Sequence, residues 1–282
     1  MKIAFLGKGG SGKSTISWLA SEVSVASDTF TLTIDADHNM DICHIYNVSI
    51  DSGFPTLHRN HAIFREFVGH KEDSRWHQIV LDDRTLPEFT INPTDQFTAQ
   101  VTRTLKNNHL IMVTGLGTED ILHSGKCAHG HSAPLKYYLP LLQLKPNERV
   151  IIDGVAGVDM LNFGLFTGAD IQIGVVEPHP NSIRVAREIL RLGTTTNTPT
   201  RLLINKAREN EHYHSIKKEF SDCLIGEIPA EAALMDYNYS AVPETITKEM
   251  EKILTSLSDI SQTSTGFERL KTFEANKQAA KV

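Results

Sequence analysis

Long apolar runs, cysteine pairs and an excess of basic residues are all missing from this 282-residue sequence. No apolar run reaches membrane-spanning length, and the apolar stretch before the first glycine is too short for a signal peptide. The three cysteines, Cys43, Cys127 and Cys223, are too few and too scattered for a disulfide scaffold. A formal net charge of −6 argues against a dedicated nucleic-acid binder. We therefore expect a cytoplasmic protein without nucleic-acid or membrane partners.

The sequence instead alternates short apolar runs with longer mixed segments. This alternation is typical of βα units and predicts a doubly wound α/β fold, with a mostly parallel sheet flanked by helices. Apolar residues at helical spacing predict a helix over Lys13–Ala26. The predicted strands are Lys2–Leu6, Phe30–Ile34, Phe89–Asn92, His109–Thr114, Arg149–Asp153, Ile171–Val176, Arg201–Asn205 and Cys223–Ile228.

We expect a single domain over residues 1–260, followed by a polar tail or surface helix over residues 261–282. The polar composition of that end favours a surface helix or frayed tail over a membrane-docking helix, which normally has a more basic polar face. Asp51–Glu88 has no clear periodicity, and we expect it to form helices or loops that cover one edge of the sheet.

The segment Gly7–Ser14 reads GKGGSGKS and matches the P-loop pattern between a predicted strand and a predicted helix. In such a loop the backbone N–H groups converge on phosphate oxygens, Lys13 reaches the β- and γ-phosphates, and the Ser14 hydroxyl ligates Mg²⁺. The strand–loop–helix context disfavours the alternative, a glycine turn of purely structural use. The remaining predicted phosphate contacts are Gly9, Gly10, Ser11, Gly12 and Thr15.

Lys8 follows the first glycine directly, at a position where an ordinary P-loop needs no lysine. The alternative interpretation is a solvated loop lysine without a function. With this second lysine the sequence resembles the deviant-Walker P-loop ATPases, among them the nitrogenase iron protein, ParA, MinD and CooC. The resemblance covers about the first 245 residues. It implies that Lys8 crosses a dimer interface to the partner's nucleotide, and hence that a homodimer forms in the ATP-bound state.

Two carboxylates follow the second predicted strand, in Ile34–Asn39, and resemble the first switch of this class. Phosphoryl transfer requires groups that orient the attacking water and hold Mg²⁺ through water. We assign Asp37 to the water and Asp35 to its support, although the two could exchange roles. The alternative is a strand that merely ends in surface acids, and the P-loop upstream favours the functional interpretation.

The segment Val150–Gly157 is an apolar strand that ends in Asp153 and continues in small residues. It resembles the Walker B motif and second switch of the class, which implies that Asp153 contacts the Mg²⁺ shell. Gly154 and Gly157 would let the backbone move when the γ-phosphate leaves.

Asn205 is the last residue of a predicted strand, Lys206 follows it, and Pro229 follows the next strand. In the resembled class these positions line the adenine. A guanine-specific site would carry aspartate where this chain has Arg208. The resemblance therefore implies ATP rather than GTP.

Cys127, His129 and His131 form a Cys-x-His-x-His segment. Cys127 stands where the nitrogenase iron protein has its first cluster cysteine, and Met160 stands where its second is expected, so a cluster held only by cysteines is disfavoured. A Cys-plus-His set from each subunit of a dimer would suit Zn²⁺ or Ni²⁺. The alternative is a loop that carries these side chains without any metal.

Three functions remain open for an ATP hydrolase of this kind. The leading hypothesis is a maturation or metallochaperone-like factor, similar to CooC, with a metalloenzyme as protein client. The second is a ParA- or MinD-like positioning ATPase that acts on a protein or a surface. The third, an iron–sulfur reductase component, needs a cluster that Met160 disfavours.

Overall fold

A computed structural model of the chain describes residues 1–37, 39–51, 53–69, 86–115, 133–158, 164–165, 167–260 and 263–279. These residues form an eight-stranded sheet in the order β3-β4-β2-β5-β1-β6-β7-β8. All neighbouring strands are parallel except β3 and β4, which are antiparallel. The strands are β1 Lys2–Gly7, β2 Phe30–Asp35, β3 Thr102–Lys106, β4 His109–Val113, β5 Glu148–Ala156, β6 Ile171–Val176, β7 Thr200–Ala207 and β8 Leu224–Pro229.

Helices cover both faces of the sheet, because alternate strand residues project to opposite sides. Ile3 and Phe5 of β1 pack with α1 and α9 on one face. Ala4 and Leu6 belong to the core of the other face, which α3, α4, α5 and α10 complete. The α-helices in the described ranges are α1 Lys13–Ala26, α2 Asp41–Ile45, α3 His61–Phe67, α4 Gln96–Val101, α5 Ala133–Leu141, α6 Pro180–Thr195, α7 Glu211–Glu219, α8 Ala232–Met235, α9 Glu244–Ser256 and α10 Gly266–Ala279.

The doubly wound, mostly parallel α/β fold is confirmed, and the helix predicted over Lys13–Ala26 has those bounds. One strand was predicted wrongly. Phe89–Asn92 forms only isolated bridges and ends in a cis peptide bond to Pro93. Because proline has no N–H, it cannot continue a strand ladder. The antiparallel edge strand β3 was not predicted, since its TRTLK sequence is half-exposed and only weakly apolar.

The C-terminal helix α10 is docked through one buried guanidinium. Arg269 donates from Nε to the Thr167 carbonyl at 2.9 Å and from Nη2 to the Ala169 carbonyl at 2.6 Å. Leu270 beside it joins the core, and Glu274 forms an ion pair with Lys136 of α5. Within the described ranges no helix has the length and apolar content needed to cross a membrane.

Candidate functional site

The P-loop connects β1 to α1 at the carboxyl edge of the sheet. Gly10 and Gly12 adopt left-handed conformations, with φ of 82° and 86°. A 3.0 Å hydrogen bond from the Ser11 N–H to the Lys8 carbonyl closes the turn between them. Since residues with a side chain rarely adopt such angles, glycine at these two positions permits the tight curl of the loop.

Helix α1 begins without a side-chain cap. Its first helical hydrogen bond runs from the Ile16 N–H to the Gly12 carbonyl at 2.9 Å, so the N–H groups of Lys13, Ser14 and Thr15 have no partner within the helix. The Ser11 hydroxyl is buried and has no hydrogen-bond partner among the described residues. An uncapped helix N-terminus beside an orphaned hydroxyl suits the oxygens of a bound anion.

Three carboxylates converge beside this helix end, because β2 and β5 are neighbouring strands and Asp35 is in register with Asp153. Asp35 is fully buried, and its two oxygens accept the N–H groups of Asp37 at 3.2 Å and Cys43 at 3.1 Å. Burial raises the pKa of Asp35, and the Asp153 carboxylate raises it further. Asp37 is also buried, and its carboxylate accepts a hydrogen bond within its own turn, from the Asn39 N–H at 3.2 Å. Asp35 therefore holds the backbone of the loop that carries Asp37.

Asp153 connects these acids to the P-loop helix. Its Oδ1 accepts a 3.0 Å hydrogen bond from the Ser17 hydroxyl, whereas Oδ2 is buried and has no partner among the described residues. Burial raises the pKa of Asp153 to about 6, against the opposing effects of Lys13, Ser14 and Ser17. A carboxylate with one fixed and one orphaned oxygen, beside a serine hydroxyl, suits the shell of a hard cation such as Mg²⁺.

The second lysine of the loop lies on its exposed side. Lys8 Nζ donates to the Gly9 carbonyl at 3.0 Å. A Cβ added to Gly9 would lie 3.8 Å from the Ala156 side chain, so this part of the loop borders the end of β5. The Gly157 N–H donates to the Gly7 carbonyl at 2.9 Å and ties the candidate second switch to the start of the P-loop.

Asn205 and Lys206 support the P-loop from the β7 side. Asn205 Nδ2 donates to the Ser11 carbonyl at 2.9 Å, and Lys206 Nζ donates to the Gly10 carbonyl at 2.7 Å. A Cβ on Gly12 would overlap the Asn205 amide, which is a second reason for glycine there. Pro229 is exposed at the end of β8 and lines a cleft of about 710 Å³ together with Arg208 and Glu227.

The structure therefore gathers most of the predicted phosphate and magnesium residues at the ends of β1, β2 and β5. Ser17 escaped the sequence analysis, although its position three residues after Ser14 on α1 gives it the same helix face. The candidate metal ligands Cys127, His129 and His131, together with Met160, lie outside the described residues. Within the described ranges no group of three or more His, Cys, Asp or Glu side chains could hold a metal ion.

Three curated proteins are similar to the chain in sequence, whereas no protein-family model matches it. An uncharacterised ATP-binding protein of Methanocaldococcus jannaschii is 25% identical over 240 residues, which cover 83% of this chain and 90% of the relative. The carbon monoxide dehydrogenase accessory protein CooC of Rhodospirillum rubrum is 27% identical over 192 residues, or 67% of each chain.

Solved structures give the class of fold. A plasmid partition protein of Borrelia burgdorferi bound to AMPPNP has a TM-score of 0.63 at 18% identity, covering 92% of this chain and 98% of its own. The septum site-determining protein MinD of Pyrococcus horikoshii, complexed with Mg-ADP, has a TM-score of 0.60 at 14% identity, covering 92% and 97%. The chain thus has the fold of the ParA and MinD class of P-loop ATPases, and the predicted resemblance to this class is confirmed. Within the class its sequence is similar to CooC.

Proposed function

We propose that this chain is a cytoplasmic, Mg²⁺-dependent ATPase whose homodimer responds to bound ATP, and that it serves as a maturation factor for a metalloenzyme. The observation that carries the ATPase part is the grouping of Asp37 and Asp153 with Lys13 and Ser14 at the uncapped start of α1. A nucleoside triphosphate requires a cation and helix N–H groups for its phosphates, and its Mg²⁺ requires carboxylate oxygens close by.

In this proposal the phosphates lie along the P-loop, on the N–H groups of Gly9, Gly10 and Gly12, on the Ser11 hydroxyl and on the start of α1. Lys13 balances phosphate charge. The Ser14 hydroxyl and the free oxygen of Asp153 hold Mg²⁺, which supplies charge neutralisation during phosphoryl transfer when it is bound. Ser11 Oγ and Asp153 Oδ2 support this assignment, since both are buried and neither has a hydrogen-bond partner among the residues that the structure describes.

Asp37 is our candidate for the residue that orients the attacking water. Both oxygens of Asp35 accept backbone N–H groups and stabilise the turn, so reorientation of Asp35 would leave two buried donors unpaired. Asp37 accepts one local N–H and can turn toward the phosphates at smaller cost. Asp35 then acts as the support of Asp37.

Lys8 connects nucleotide binding to dimerisation in this proposal. Among the residues that the structure describes, its ammonium donates only to the carbonyl of the next residue, on the exposed side of the loop. An exposed cation at the rim of a phosphate site can reach the nucleotide of a second subunit. We therefore infer that ATP, with its γ-phosphate, favours the dimer more than ADP does.

The maturation role rests on the similarity to CooC, a carbon monoxide dehydrogenase accessory protein. Cys127, His129 and His131 add ligand types that suit Zn²⁺ or Ni²⁺ shared by two subunits.

Asn205, Lys206 and Pro229 are our candidates for the base side of the nucleotide.

Titration calorimetry with ATP, with and without Mg²⁺, tests the ATPase part. Wild-type protein should bind Mg·ATP, and Lys13→Ala should lose binding because the phosphates lose their main cation. Lys8→Ala should still bind ATP but lose both hydrolysis and the ATP-dependent dimer, measured by light scattering after size exclusion. Normal hydrolysis by Lys8→Ala would overturn the deviant P-loop assignment.

Metal content tests the maturation part. Anaerobically purified protein should hold about half an equivalent of zinc or nickel per monomer, as expected for one tetrahedral site shared by two subunits. Cys127→Ala should lose that metal and keep ATP binding. If neither wild-type protein nor its ADP complex retains metal, the metallochaperone role is wrong.

A positioning ATPase is the second candidate, and the likeness in fold to a plasmid partition protein and to MinD favours it. It predicts that ATP, but not ADP, causes the protein to sediment with DNA or with anionic vesicles. We expect no such binding, since the net charge is −6 and electrostatic attachment to either surface requires clustered basic residues.

A further inference from the structure

The segment after β8 returns to the start of α1 and brings an exposed tyrosine against the P-loop helix. Tyr237 Oη lies 3.5 Å from Thr15 Oγ1. Thr15 is the third residue of α1, and its N–H is one of those without a helical partner. A phenol hydroxyl and a threonine hydroxyl thus meet at the anion-binding end of the helix.

The backbone and packing of Tyr237 are unusual for a surface aromatic residue. Its φ is 51°, a left-handed conformation that costs a non-glycine residue about 1 kcal/mol. Its ring packs edge-on against Trp18 at 5.6 Å between centroids. Trp18 is only 3% exposed, whereas Tyr237 is 39% exposed. The buried indole therefore packs against one side of the Tyr237 ring, while the strained backbone holds that ring where its other side is open to solvent.

The order of the strands indicates which part of a bound nucleotide would lie next to the Tyr237 hydroxyl. The carboxylates Asp37 and Asp153 lie at the ends of β2 and β5, on one side of β1. Tyr237 follows β8, on the opposite side of β1. A nucleotide whose terminal phosphate faces the carboxylates has its nucleoside toward β7 and β8, and its α-phosphate beside Thr15.

We propose that Tyr237 is a positioning residue for the nucleotide and that its hydroxyl donates, beside Thr15, to the α-phosphate. This inference rests on the proposed ATP binding and deepens it. The segment after β8 then contacts the bound nucleotide from the nucleoside side, and the same α-phosphate contact forms with ATP and with ADP. The hydroxyl holds the substrate in position and takes no part in the chemical step.

Tyr239→Phe provides a matched control, because Tyr239 packs against the same Trp18 ring at 6.3 Å. Its pKa is raised by burial and by the carboxylates of Glu22 and Glu251, so its hydroxyl is near those acids. Loss of this hydroxyl leaves the Thr15 contact of Tyr237 in place.

The experiment compares wild type, Tyr237→Phe and Tyr239→Phe by titration calorimetry with Mg·ATP, Mg·ADP and Mg·dATP. Tyr237→Phe should weaken all three ligands about tenfold, as for loss of one hydrogen bond to a charged group, while Tyr239→Phe matches wild type. In hydrolysis assays KM should rise and kcat stay constant, and the apo unfolding temperature should be unchanged. If Tyr237→Phe weakens the binding of ATP but not of dATP, the hydroxyl contacts the ribose, and the α-phosphate assignment is overturned.

Failure of this inference can be distinguished from failure of the proposed function. If wild-type protein binds no nucleotide, the ATPase proposal fails first. If wild-type protein binds Mg·ATP and Tyr237→Phe binds it equally well, only the role of Tyr237 is overturned. Trp18 fluorescence in a Trp76→Phe background gives an independent signal, since bound nucleotide should change it in the wild-type sequence and less in Tyr237→Phe.

Discussion

The hydroxyl of Ser17 donates a 3.0 Å hydrogen bond to one oxygen of Asp153, while the other oxygen of that carboxyl is buried and has no partner in the described part of the chain. A buried charge that is only half satisfied lowers the stability of the folded state. Stability is therefore reduced at the point where Mg²⁺ binding is proposed, a relation common at functional sites.

Asp153→Asn should stabilise the nucleotide-free protein. Burial raises the pKa of Asp153 to about 6, so the folded protein favours the protonated form and loses stability as pH rises from 4 to 6. At pH 7 the variant lacks this charge and should gain about 1–3 kcal/mol in the free energy of unfolding. Urea unfolding at pH 4 and pH 7 measures the gain, which should vanish at pH 4. Ser17→Ala, the control, should instead lose about 1 kcal/mol at pH 7.

The same carboxyl predicts a pH dependence for Mg²⁺-dependent ATP binding. The charged form of Asp153 suits the cation, and with a pKa of about 6 it is lost as pH falls from 7 to 5. The affinity for Mg·ATP should fall about tenfold over that interval, as one titrating ligand implies. The Asp153→Asn profile serves as the baseline, since it contains the titration of ATP itself. Parallel profiles for the two proteins would contradict the role of Asp153.

A buried histidine at the start of β4 should lower stability at acid pH. His109 is fully buried, and Nε2 lies 2.8 Å from Thr33 Oγ1. Burial lowers its pKa to about 4, although the nearby Glu22 raises it; Lys106 lowers it further. The folded protein therefore favours neutral His109, and stability should fall as pH drops from 6.5 to 4, by about 3 kcal/mol in total.

His109→Gln isolates this effect, because glutamine can still bond to Thr33 but does not titrate. The difference in unfolding free energy between wild type and variant should shrink steadily below pH 6.5. Asp35 and Asp153 titrate in the opposite direction, but they are present in both proteins and cancel in the difference. A difference that stays constant from pH 7 to pH 4 would refute the buried neutral histidine.

The parts that could be predicted from the sequence are those encoded locally. The P-loop and the helix over Lys13–Ala26 follow from glycine spacing and apolar periodicity within about twenty residues. Asp35 and Asp153 were recognisable as ends of apolar strands, but their pairing in register depends on the sheet order. The spacing of Ser17 from Ser14 is a local signal, but its contact with Asp153 depends on tertiary packing. The contact of Tyr237 with Thr15 across 222 residues carries no local signal, because packing alone brings the two residues together.

The docked C-terminal helix provides the last prediction. Arg269 is 3% exposed, and its guanidinium donates to the carbonyls of Thr167, Ala169 and Ser264. Arg269→Met preserves most of the volume but leaves these buried acceptors unpaired, so unfolding free energy should fall by about 3 kcal/mol. Amide exchange over residues 266–279 should accelerate. Arg269→Lys should recover only part of the loss, since an ammonium cannot match the planar fork.

Asn276→Ala is the matched control on the same helix, because Asn276 is exposed. The free energy of unfolding of Asn276→Ala should stay within about 0.5 kcal/mol of the wild-type value. If Arg269→Met unfolds at the same urea concentration as Asn276→Ala, the guanidinium does not hold the helix. Arg269 and Glu274 lie on the same helix, α10. Loss of the Arg269 hydrogen bonds should therefore also weaken the Lys136–Glu274 ion pair between α5 and α10. Adding Glu274→Gln to Arg269→Met should therefore cost less than Glu274→Gln costs in wild type, a coupling that a double-mutant cycle measures directly.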